Sequence, residues 1–97
     1  MHFDIRRMRR YGKSPWTCEL RQSFCIPGRR VDQDGLTSPL NRPTRIAEIL
    51  KTSPGESILP TLHDAQIHGM ATNALVITGI EFIDGVAYSQ SWHCRVA

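Results

Sequence analysis

Residues 74–96 read ALVITGIEFIDGVAYSQSWHCRV, two β-rich runs joined at Asp84-Gly85, and this stretch decides the fold. Asp-Gly between β-branched and aromatic residues suits a two-residue type I′ turn, because both central residues tolerate positive φ. The turn sets a register in which opposed residue numbers sum to 169, so that Phe82 meets Ala87, Ile80 meets Ser89, Ile77 meets Trp92 and Leu75 meets Cys94. A second two-residue turn at Thr72-Asn73 pairs residues 62–70 with 75–83 at a sum of 145. On that register Ala65 and Ile67 join Val76, Ile80, Phe82 and Ala87 on one face. The other face carries Met70, Leu75, Ile77, Trp92 and Cys94 at one end, and Asp64, Glu81, Tyr88 and Gln90 at the other. Apolar residues on both faces call for cover on both, one side from a helix and the other from a further strand, a barrel closure or a second subunit.

Upstream, Trp16, Cys18 and Leu20 alternate with Thr17, Glu19 and Arg21 as a half-buried strand, with Phe24 and Ile26 continuing its even-numbered face until Pro27-Gly28. This strand is the internal candidate to pair the exposed edge of the last one, and a second copy of the chain is the external candidate. Residues 27–41, rich in Gly, Pro, Asp and Ser, form a long connection. Asn41 or Thr44 then caps a short helix near 42–52, with Ile46, Ile49 and Leu50 as its buried stripe and Ser53-Pro54-Gly55 as its stop. Near the start, Ile5, Met8 and Tyr11 recur at helical spacing, which slightly favours a helix from Asp4 to Tyr11 over a strand at His2 to Ile5. The expected fold is therefore α+β and mainly β: an antiparallel meander with strands near 16–26, 61–70, 74–83 and 86–96, making a small sheet or open barrel with one short helix.

A chain of 97 residues, 40% hydrophobic and 22% charged, has material for one core, so residues 1–97 are read as a single small domain with a basic N-terminal segment, 1–15. Its longest aliphatic run, Ala74 to Ile77, is far short of the roughly 20 residues that cross a bilayer, so no membrane partner is expected. Basic residues follow the N-terminal apolar ones instead of preceding them, which is not a secretory pattern, and the chain is read as cytoplasmic. Cys18, Cys25 and Cys94 are odd in number and lack Cys-x-x-Cys spacing, which reads as free, largely buried thiols.

The net charge of +3 hides an asymmetry: residues 1–30 hold eight basic side chains against Asp4 and Glu19, whereas residues 31–97 hold four against seven acidic ones. Arg6, Arg7, Arg9, Arg10, Lys13, Arg29 and Arg30 thus form either a set that contacts phosphates or an acidic protein surface, or a solvated face partly paired with the acidic second half, each exposed pair contributing about 0–1 kcal/mol. His63, His68, His93 and Cys94 are the residues with metal-ligating chemistry, but the register splits them between faces, and no metal or other cofactor is expected. Asp64 and Glu81 are opposed in the same register, as a carboxylate pair or a solvated polar patch. No Ser/His/Asp set, Cys/His set or Gly-rich phosphate loop is present. Residues 45–59 have a helix-turn-helix outline, including a Ser53/Glu56 capping box, but Pro60 would end the second helix after little more than one turn.

No catalytic residue is assigned. The leading expectation is a small non-enzymatic interaction protein, of accessory or inhibitor type, that presents a β-sheet surface or edge to a protein partner or to itself as a homo-oligomer. Met70, Ile77, Tyr88 and Trp92 are its candidate interface residues, being of types enriched at binding surfaces or adjoining them on that face. The rival expectation is nucleic-acid binding by the basic set, with Tyr11 and Trp16 available to stack on bases.

Overall fold

The computed structural model describes residues 8–28, 42–53 and 56–96, with the side chains of 42–44 left aside. Its elements are β1 (Met8–Arg9), β2 (Trp16–Cys25), α1 (Arg42–Leu50), β3 (His63–His68), β4 (Ala74–Ile83) and β5 (Val86–Val96). All the strands pair antiparallel in one open sheet of order β1-β2-β5-β4-β3. This is the expected mainly β architecture with one short helix. The helix slightly favoured for 4–11 gives way to strand β1 at Met8–Arg9 and to irregular backbone at Arg10 and Tyr11, while residues 4–7 of that expectation, like the connection over 29–41, lie outside the described residues.

The β4–β5 hairpin has the predicted register throughout, from Ile83↔Val86 to Leu75↔Cys94. Its turn is left-handed at both centres, Asp84 at φ 52° and Gly85 at φ 79°. The far edge of β5 is closed by β2, with Cys18↔Cys94 and Leu20↔Trp92 opposed. The last strand is therefore the centre of the sheet, and its far edge is paired by the internal candidate, β2, and not by a second copy of the chain.

Three irregularities alter which residues share a face. At Arg21 the β2 register slips between Leu20 and Gln22, so Phe24 meets Ser89 instead of continuing the buried face, and it is 58% exposed. The Thr72-Asn73 turn forms, with the Ala71 N–H donating to Ala74 O at 2.7 Å. One extra residue is then taken up near Gly69 (φ 54°) and another near Asp64 (φ 52°). Ile67 accordingly meets Ile77, not the residues beside Val76, and Ala65 is buried in the core, because a slip of one residue moves a side chain to the other face.

One face of the sheet is sealed by the chain itself. Trp16, Cys18, Leu20, Leu75, Ile77, Trp92 and Cys94 pack beneath Ile46 and Leu50 of α1 and beneath Ile58, Leu59 and Leu62. No second helix forms over 56–62, so the helix-turn-helix outline is not realised. Gly79 is required where that segment crosses β4: a Cβ there would lie 2.8 Å from Leu62 Cβ and 3.2 Å from His63 O. The helix ends in a Schellman arrangement, Thr52 N–H to Ala47 O at 3.1 Å and Lys51 N–H to Glu48 O at 3.3 Å, with Lys51 left-handed at φ 55°. The Leu50 carbonyl exposed by that ending accepts a hydrogen bond from the Ser14 hydroxyl, which itself accepts from Trp16 N–H, so the β1–β2 turn is tied to the helix terminus.

Candidate functional site: the two faces of the sheet

On the sealed face, the buried polar side chains Ser14, Gln90 and Trp92 are hydrogen-bonded. The Trp92 indole N–H donates to Gln90 Oε1 at 3.0 Å, and Gln90 Nε2 donates to Glu81 Oε1 at 2.8 Å. Gln90 is 2% exposed, so this relay carries the buried indole dipole out to a carboxylate near the surface. Above the same ring the Arg9 guanidinium lies 5.7 Å from the centroid, within cation–π range.

Cys18 and Cys94 are joined by a disulfide across β2 and β5, both almost fully buried, with their Cα atoms 4.0 Å apart. This corrects the expectation of free thiols for these two; Cys25 is free and exposed. The missed signal is a repeated Trp-x-Cys, at Trp16-Thr17-Cys18 and Trp92-His93-Cys94. Once β2 is laid against β5, the alternation that buries each Trp also points both sulfurs into the same interior.

The opposite face is different. Its residues alternate with the buried ones: Thr17, Glu19, Gln22 and Phe24 on β2, Ala87, Ser89, Ser91, His93 and Arg95 on β5, and Val76, Thr78, Ile80 and Phe82 on β4. Among the described residues no helix or strand lies over it. Toward the hairpin end it is apolar: Phe24 is exposed, Phe82 is half-buried, and Ile80 and Ala87 are buried at its floor. Ile26 adjoins them through its N–H, which donates to Ala87 O at 2.9 Å. His63 stands edge-on to Phe82, ring centroids 5.1 Å apart, with its Nδ1 buried and without a hydrogen-bond partner. Toward the other end the face is polar, with Arg21 and Glu19 in a 3.1 Å ion pair and His68 bonded to the Thr78 hydroxyl at 2.9 Å.

The candidate interface residues are thus dispersed. Ile77 and Trp92 are 1% and 0% exposed, so they are core residues and are withdrawn as a docking surface. Tyr88 is half-buried and Met70 lies exposed in the β3–β4 turn, away from the apolar end. The apolar surface of the outer face is built instead by Phe24 and Phe82, and the slip at Arg21 is what puts Phe24 there.

Of the basic set, Arg9 is half-buried against Trp92, Arg10 and Lys13 are exposed near the β1–β2 turn, and Arg6, Arg7, Arg29 and Arg30 lie outside the described residues. The bulges bring His63 and His68 to the same side as His93, against the expected split. Cys94 is in the disulfide, and no group of three metal-ligating side chains forms among the described residues. Asp64 sits in a bulge and is not opposed to Glu81, whose partner is Gln90, so the expected carboxylate pair does not form.

Among the described residues no helix is long and apolar enough to cross a membrane. Comparison with protein-family models, curated proteins and solved structures finds no match to this chain.

Proposed function

We propose that the protein is a small non-enzymatic interaction protein that works as a homodimer, two copies packing their outer sheet faces together. The observation that carries this reading is the asymmetry of the sheet: one face is sealed by the chain's own helix, and the other sets Phe24, Phe82 and Ile26 around the buried Ile80 and Ala87, with no helix or strand over them among the described residues. The strands are two, ten, six, ten and eleven residues long. At about 16 Å² of sheet per residue they offer a face of about 600 Å². Two such faces bury about 1,200 Å², the lower end of the range for stable interfaces. A two-fold pairing sets the apolar end of each copy on that of the other, with sheets about 10 Å apart.

The buried Cys18–Cys94 disulfide supports an oxidising compartment in place of the cytoplasm expected from the N-terminal pattern, since such bonds persist outside the reducing cytosol.

Sedimentation equilibrium over about 1–300 μM protein is the test, covering the range in which a modest interface is populated. The expected result is a monomer–dimer equilibrium that Phe24→Asp weakens at least ten-fold while the far-UV and near-UV circular dichroism stay unchanged. A monomer at every concentration, or a dimer indifferent to Phe24→Asp, overturns the proposal.

A further inference from the structure

The second feature that the fold leaves open is a cleft of about 640 Å³ between α1, the 56–62 segment and the start of β3. This is within the size range of sites that take small organic ligands. Its floor is aliphatic, formed by Leu50, Leu59, Leu62 and Ala65. The charged residues of its described lining are Glu48, exposed on the helix, and Glu56, half-buried at the start of the 56–62 segment, with no basic side chain among the described lining residues. The Ser57 hydroxyl, also at the cleft, is already engaged, donating to Leu59 O at 2.6 Å and accepting from Leu59 N–H at 3.1 Å.

An aliphatic floor with a rim carrying negative charge selects for a molecule that has both an apolar body and a positive end. A neutral apolar ligand satisfies the floor and leaves the carboxylates unused, and an anionic one of equal length meets like charge at the rim. We infer that this cleft binds a small cationic amphiphile, its alkyl or aryl body on Leu50, Leu59, Leu62 and Ala65 and its ammonium group beside Glu48 and Glu56. The site is on the sealed side of the sheet, separate from the outer face, so it is independent of dimerisation.

The experiment compares octylammonium with octanoate, chains of equal length and opposite charge, titrated into the full-length oxidised protein and followed by ¹H–¹⁵N correlation spectra. Saturable shifts confined to residues of the cleft, with octylammonium at least about ten-fold tighter than octanoate, are expected. The double variant Glu48→Gln/Glu56→Gln should reduce that preference to within about three-fold while leaving the spectrum otherwise native. Ala47→Trp, a half-buried lining position on the helix, should block both ligands. Absence of saturable shifts, shifts confined to the outer face, equal affinity for the two ions, or a preference that survives the double variant would each overturn the proposal.

Discussion

The two faces of this sheet are made by the same strands and differ in almost everything that governs stability. On the inner face, the apolar residues share one core with those of α1 and the 56–62 segment, the indole of Trp92 is satisfied through Gln90, and a disulfide joins the adjacent strands β2 and β5. On the outer face the same alternation yields Thr, Ser, His and Arg at one end and an aromatic pair at the other. Folding free energy is concentrated in the first, and the second is the face proposed to associate. Substitutions on the two faces should therefore differ in kind: inner ones unfold the protein, outer ones leave it folded and change what it associates with.

The largest effect is expected at Trp92. Trp92→Ala removes a side chain with 0% exposure at the centre of the sheet and should cost about 3–5 kcal/mol in urea unfolding. For a domain of this size that is a large part of the total, so the variant is expected to be mostly unfolded at 37 °C. The Cys18→Ala/Cys94→Ala pair comes next: it releases a constraint spanning 76 residues and should lower stability by about 2–4 kcal/mol. Mass spectrometry after thiol alkylation without reductant should find one reactive cysteine, Cys25. Gly79→Ala follows, at about 1–3 kcal/mol, because the new methyl meets Leu62 and a backbone oxygen that cannot easily retreat.

On the outer face, Phe24→Ser should change monomer stability by no more than about 0.5 kcal/mol, as expected at an exposed position. If this variant unfolds as readily as Gly79→Ala, the division between the faces is wrong. One effect has the opposite sign. Lys51→Gly places the residue best suited to a left-handed helix ending at φ 55° and should raise stability by about 1 kcal/mol, read from the urea midpoint at unchanged slope.

What was legible in the sequence follows the same division. The β4–β5 register could be read because Asp84-Gly85 permits one turn type and everything after it follows by counting. The helix could be read because Ile46, Ile49 and Leu50 recur at its period. The faces of β3 and of the end of β2 could not, since each depends on a single extra residue at Asp64, Gly69 or Arg21, and a bulge leaves no periodic trace in so short a strand. That is why Phe24 was expected inside and Ile67 beside Val76. The docking residues were misread for a related reason. Trp92 and Ile77 are types common both at interfaces and in cores, and the choice between the two depends on where α1 and the 56–62 segment lie, which is long-range information. The disulfide was within reach, because the two Trp-x-Cys repeats become opposed once β2 is paired with β5.

Hydroxyl-radical footprinting with mass spectrometry, run on a dilute and a concentrated sample of the oxidised protein, tests the central claim most directly. Trp16 and Trp92 should be protected in both samples, while Phe24 and Phe82 should be labelled when dilute and protected when concentrated. Labelling of Trp92 as fast as Phe24 in the dilute sample, or an outer face equally reactive at both concentrations, would contradict it.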